Sequence, residues 1–262
     1  MLALLNSEMF RTVKRPVTWV MLAILAVIVA AFYTIVYFTV GDPATNESLR
    51  PDATLNNGFS IGSGIASIMV IVLAAQSMGS EYGWGTIRAL VSRASGRVPL
   101  ILAKLIVLTI YTFMALLVTA VASVGFAYLF GSLANNDTGM SGGEWVDILA
   151  AIDRGMLSLG VYAITALVIT ILSRSTAAGI AGAIALSFLE TAIWALLGQA
   201  SNTFDRVSEY FISYNVGGLS TMGTENSTDG FDATRGAIVV AAWLVGLLAV
   251  AIYVFRRRDI TS

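Results

Sequence analysis

The chain has 262 residues, 57% of them hydrophobic and only 12% charged, with a formal net charge of −1. A soluble domain carries about 25% charged residues, so this composition excludes an ordinary water-solvated surface. Cysteine and histidine are both absent. Their absence removes disulfide frameworks, thiolate nucleophiles, Cys/His metal sites and the usual general base, and with them most hydrolase and metalloenzyme classes.

Residues 1–16 come first. Leu2, Leu5, Met9 and Val13 recur at helical spacing, while Asn6, Glu8, Arg11 and Arg15 fall elsewhere on the wheel. This pattern predicts a helix lying in the membrane interface with its bases near anionic headgroups. Six apolar runs follow, at about 17–40, 59–79, 99–130, 150–172, 176–198 and 236–255. Each is long enough to cross roughly 30 Å of hydrocarbon as a helix, and the third is longer than the bilayer requires. Period-2 alternation, the mark of a transmembrane barrel, is missing. The fold class is therefore an all-α polytopic membrane protein with six transmembrane helices. The first run has about 24 apolar residues, longer than the roughly 7–15 of a cleavable signal.

The charges orient the spans. With both termini cytoplasmic, the inner segments hold Arg11, Lys14, Arg15, Arg88, Arg93, Arg97, Lys104, Arg174, Arg256, Arg257 and Arg258 out of 15 basic residues. Only Arg50, Arg154, Arg206 and Arg235 fall outside, which is a strong positive-inside bias. Arg256-Arg257-Arg258 reads as an electrostatic anchor for the last span, and nothing in the pattern points to nucleic acid. Ser173-Arg174-Ser175 is a minimal inner loop, so spans four and five form a tight antiparallel hairpin. Outside, 41–58 is polar with two prolines, and 131–147 is Gly/Asn/Ser-rich loop. In 199–235, the stripe Phe204, Val207, Phe211 and Tyr214 predicts one short amphipathic helix, with loop from Gly217 to Gly230. Small residues cluster at Gly58, Gly62, Ser63, Gly64 and Ser67, and again at Ala178, Gly179, Gly182, Ala183 and Ala185. They mark close helix packing, within the subunit or between subunits.

Between spans two and three lies Glu81-Tyr82-Gly83-Trp84-Gly85-Thr86-Ile87-Arg88. Read as a helix over 81–92, it places Glu81, Gly85, Arg88 and Ser92 on one face and Trp84, Ile87 and Val91 on another. Ser80 is then a candidate N-cap, with Glu81 at the positive end of the helix dipole and facing the cytoplasm with Arg88. On physics alone this is an interfacial helix in a basic loop.

The order is a hydrophobic span, then Glu81-x3-Gly85-Thr86-x-Arg88, then Arg93, Ser95-Gly96-Arg97, and Lys104 opening the next span. It resembles the permease subunits of ABC-2-type exporters. In that family this stretch is the coupling segment that receives force from an ATPase. The resemblance extends to the layout: an inner interfacial helix, six spans with both termini inside, and a long outer loop before the last span. Where the family commonly has Pro-x-Ser-Arg, this chain has Ala94-Ser95-Gly96-Arg97. The resemblance implies that Glu81, Gly85, Thr86, Arg88, Arg93, Arg97 and Lys104 serve coupling. It implies as partners the nucleotide-binding ATPase subunits of an ABC transporter, a second copy of the chain or a related permease, and membrane lipids. The compartment expected is the plasma membrane of a prokaryotic cell.

A P-loop needs Gly-Lys-[Ser/Thr] to wrap phosphate. The chain has two lysines, Lys14 and Lys104, and neither follows glycine. No cofactor is expected in this chain; ATP and Mg belong on the partner ATPase. The chain is then a transport subunit and not itself an enzyme.

Glu190 is the one charge deep inside a span, which makes it a functional candidate. It could line a pathway, bind a cationic group, carry a proton or serve packing. The competing readings are an ion-gradient-driven secondary transporter, a polytopic membrane enzyme and a non-transporting scaffold. Substrate identity leaves no local motif.

Overall fold

The computed structural model describes residues 2–39, 47–87, 96–222 and 230–257. Among these the regular structure is all helical, with no strand, and six helices are long and apolar enough to span a membrane. This is a multi-pass membrane protein. In chain order the helices are α1 (Leu2–Lys14), α2 (Pro16–Thr39), α3 (Ser60–Gly83), α4 (Arg97–Leu133), α5 (Gly142–Ser173), α6 (Thr176–Ala200), α7 (Asn202–Ser208), α8 (Ile212–Thr221) and α9 (Ala233–Arg257). The six candidate spans are α2 to α6 and α9.

Local chemistry sets most of the ends. Pro16 opens α2 as its first residue, where the missing N–H costs nothing. A π-helical turn over Leu55–Phe59 leads directly into α3. α5 starts at Gly142, eight residues before the start read from hydropathy. The cause is a capping box: the Ser141 hydroxyl accepts from the Glu144 N–H while the Glu144 carboxylate accepts from the Ser141 N–H. The loop read over 131–147 therefore shrinks at both ends. The predicted hairpin is present: α5 ends on Arg174 in the left-handed region (φ 57°), and the Ser175 hydroxyl caps α6 through the Ala178 N–H.

α5 is the hub and packs on α3, α4, α6, α8 and α9. Its buried face carries Leu159, Ala163, Ala166, Leu167 and Ile171, against Val70, Ala74 and Met78 of α3. In lipid, helices gain little from burying apolar surface and associate through packing and polar contacts, so close approaches matter. A Cβ on Gly179 would lie 1.9 Å from Thr170 Oγ1 and 3.1 Å from Ala75 Cβ. The backbone of α6 is thus pressed into α3 and α5 at a place where only glycine fits. Gly62 does the same beside Thr119 and Val29, whereas Gly64 has open space around it. Most of the small-residue clusters are therefore spent inside the subunit. Along α6 only Gly179 and Ala183 are buried among the described residues, and Leu186, Phe188, Leu189, Ile193 and Leu196 are exposed. α6 is an outer wall of the bundle.

Two helix predictions fail. The single amphipathic helix over Phe204–Tyr214 is two helices, α7 and α8, broken at Phe211, whose backbone is extended (φ −104°, ψ 164°). α8 then runs through Gly217 and Gly218, which the sequence reads as loop. Gly218 is helical because its missing Cβ makes room for the Phe231 ring; a Cβ there would lie 2.3 Å from Phe231 Cε2. The second failure, over 81–86 of the helix expected at 81–92, shapes the site; residues 88–92 lie outside the described residues.

Candidate coupling site

α3 does not begin near Ser80; it ends just beyond it. The Ser80 hydroxyl donates to Gln76 O inside the helix and caps nothing. The helix closes with Trp84 N–H to Ser80 O, Gly85 N–H to Tyr82 O and Thr86 N–H to Glu81 O. This is a Schellman motif, which requires a left-handed residue after the last turn. Gly85 fills that position with φ 66°. Gly85, placed by the sequence on one face of a helix over 81–92, is instead the helix stop.

The reversal changes the meaning of Glu81. It lies in the last turn of α3, at the negative end of the helix dipole, and it is only 3% exposed. It does not face the cytoplasm. Lys104, in the second turn of α4, comes to it: Nζ donates to Glu81 Oε1 at 2.6 Å, to Glu8 Oε2 at 3.0 Å and to Ser77 O at 2.7 Å. Those three acceptors satisfy the three protons of an ammonium. The lysine side chain is 1% exposed, and the two carboxylates are 4% and 8% exposed.

Arg11 of α1 closes the group. Its Nη1 lies 3.4 Å from Glu81 Oε1 and 3.6 Å from Glu8 Oε1. Two carboxylates thus face two cations, with no net charge. One turn further, Arg15 Nη2 donates to Ser80 Oγ at 3.4 Å, and its guanidinium sits 5.9 Å from the Trp84 ring centroid. α1 is therefore fastened along the last turns of α3 and the first turns of α4. A void of about 20 Å³ lies beside Lys104, lined by Glu8, Thr12, Thr18 and Tyr111 among others. The Tyr111 hydroxyl has no hydrogen-bond partner, so the void can hold one water.

Of the residues assigned to coupling, the structure brings together Glu81 and Lys104. Gly85 and Thr86 form the exposed stop beside them. Arg88 and Arg93 lie outside the described residues, and Arg97 is described by its backbone alone, as the first residue of α4. Glu8 and Arg11 were missed. Their signal was present: Glu8, Arg11 and Arg15 are spaced three and four apart, one helix face, which the sequence reading gave to headgroups.

Glu190, on α6, lies at the far end of the bundle from this cluster. Its Oε1 accepts from the Ser213 N–H at 2.8 Å and from Ser213 Oγ at 3.2 Å. Ser213 is the second residue of α8, so the carboxylate satisfies a free N–H at the positive end of that helix.

A family model matches residues 19–261. The chain belongs to that family, DUF2705, described as a protein of unknown function. No curated protein matches it. In this DUF2705 chain, Glu81, Lys104 and Glu190 fall within the matched stretch, while Glu8 and Arg11 precede it.

Proposed function

We propose that this chain is the membrane-spanning permease subunit of an ATP-driven exporter of the ABC-2 type. It would work with separate nucleotide-binding ATPase subunits and with a second permease, either a copy of itself or a relative. The observation that carries the reading is the buried Lys104 cluster. It joins α1, α3 and α4 through Glu81 and Lys104, the first and last residues of the stretch whose sequence resembles a coupling segment.

The physical argument is one of force transmission. A docking loop moves spans only if the elements it joins respond as a unit. Breaking a buried ion pair by losing one partner costs about 3–5 kcal/mol, so α1, α3 and α4 resist being pulled apart one by one. A push on the loop from an ATPase would tilt them together. The sorted charges place that loop on the cytoplasmic face, where ATP and Mg are found, and the missing P-loop explains why the nucleotide site belongs to a partner. In this scheme Glu81 and Lys104 transmit and orient, and they do not touch the ATPase. Contact falls to exposed residues such as Trp84 and Thr86 and to Arg88. Export from the plasma membrane of a prokaryotic cell follows as the direction and setting.

The test is charge reversal on the loop. Arg88→Glu should strip the ATPase from the purified complex and abolish permease-stimulated ATP hydrolysis while leaving the chain folded. Unchanged association and stimulation would reject Arg88 as a contact.

A further inference from the structure

Between α5, α6, α8 and α9 lies a groove of about 620 Å³. That is within the roughly 300–1,000 Å³ of small-molecule sites. Its walls are apolar, with Leu186, Leu189 and Leu247 among them, and Thr165 and Glu190 supply the polar groups. Three aromatic rings gather at one end. Trp194 and Phe211 have centroids 4.6 Å apart, and Phe211 and Trp243 6.1 Å apart. The Trp243 indole is held by its N–H to Tyr210 O at 3.0 Å.

Among the described residues, Glu190 is the only ionisable group lining the groove. Both of its hydrogen bonds fall on one oxygen, Oε1. Among the described residues no Lys or Arg forms an ion pair with it. Holding Ser213 does not demand a carboxylate, because a neutral amide oxygen accepts the same two bonds. A carboxylate inside a span is costly, and what it adds over an amide is charge. Beside it stand aromatic faces, whose quadrupoles attract cations. An apolar trough with one anionic oxygen free and aromatic faces next to it is complementary to a cation carrying a large apolar body.

We propose that the groove between α5, α6, α8 and α9 binds a lipophilic organic cation, with its charge on Glu190 and its apolar body against Trp194, Phe211 and Trp243. As a substrate site this rests on the export reading, but the binding itself needs no ATPase. If binding fails, the coupling cluster still stands, and if no ATPase associates, the groove does.

The probe is tetraphenylphosphonium, with tetraphenylborate as a control of similar size and opposite charge. Binding is followed by quenching of tryptophan fluorescence in the full chain, purified in a neutral detergent. Tetraphenylphosphonium should bind saturably. Glu190→Gln, which keeps the acceptor for Ser213, should weaken it at least tenfold. Leu186→Trp, which fills the trough and leaves the carboxylate in the chain, should abolish it. Tetraphenylborate should show no dependence on Glu190. The proposal is overturned by absence of saturable binding to the wild type, by wild-type affinity in either variant that elutes as a monodisperse species, or by equal Glu190-dependent binding of the borate. Displacement of the probe by excess phosphatidylethanolamine would make the groove a lipid site and also overturn it.

Discussion

Removing the ammonium at position 104 isolates the energetics of the buried cluster. Lys104→Met keeps the length and apolar stem of the side chain and deletes three bonds of 2.6, 2.7 and 3.0 Å. Glu8 and Glu81 are then left facing each other, almost wholly enclosed. Losing one partner of a buried pair costs about 3–5 kcal/mol. Arg11 remains, but its side chain is 44% exposed and its contacts are 3.4 and 3.6 Å long. Such a half-solvated pair returns only about 0–1 kcal/mol. The net loss is roughly 3 kcal/mol. At about 2–4 °C per kcal/mol for a chain of this size, the melting midpoint should fall by roughly 6–12 °C. The assay is thermal unfolding of the detergent-solubilised chain, followed by loss of the monodisperse chromatographic peak. The discriminating variant is Glu8→Gln/Glu81→Gln/Lys104→Met, which removes the stranded charges along with the lysine. It should recover most of the lost stability, because replacing a whole buried ion cluster by neutral groups is often close to neutral. A single Lys104→Met variant that melts within about 2 °C of the wild type would refute the reasoning. So would a triple variant no more stable than the single one.

The glycine positions give sharper contrasts. Gly85→Ala forces a Cβ into the left-handed region and should cost about 1–2 kcal/mol, read as a lower melting midpoint. Gly83→Ala, two residues earlier inside the helix and with open space around it, should instead stabilise by about 0.5–1 kcal/mol. Gly179→Ala drives a methyl into Thr170 and should cost about 1–3 kcal/mol. Adding Thr170→Ala, which removes the hydroxyl and methyl in its way, should restore part of that loss in the same melting experiment. Glu190→Ala should loosen α8 and raise protease sensitivity between residues 209 and 216, whereas Glu190→Gln should leave it unchanged.

The spans were legible because their signal is additive. Twenty apolar residues in a row outweigh any local detail, and each of the six runs coincides with a helix. The ends were less legible because they turn on single hydrogen bonds. Ser141 and Glu144 show the capping-box spacing, yet hydropathy alone starts that helix eight residues late. Over residues 81–86 the sequence expects a helix start where the structure has a helix stop. Glu81, Gly85 and Lys104 were singled out, but a helix start and a helix stop both use small and polar residues. What decides between them is the left-handed backbone at Gly85. The pairing of Glu8 with Lys104 spans 96 positions of sequence, and no local pattern encodes it. A charged stripe on a short helix reads as a solvated face, and only tertiary contact shows that Glu8 points inward. The outer helix was misjudged for a similar reason: Gly217 and Gly218 read as loop until Phe231 is seen packed against Gly218.

The central claim is that this chain is driven by a separate ATPase, and purification of the tagged chain from its native membrane with mild detergent tests it most directly. The account predicts a nucleotide-binding subunit in fixed stoichiometry, with ATP hydrolysis in the eluate that Arg88→Glu removes. A chain that purifies without such a subunit and without ATPase activity, while still moving its substrate across reconstituted vesicles on an ion gradient, would contradict it.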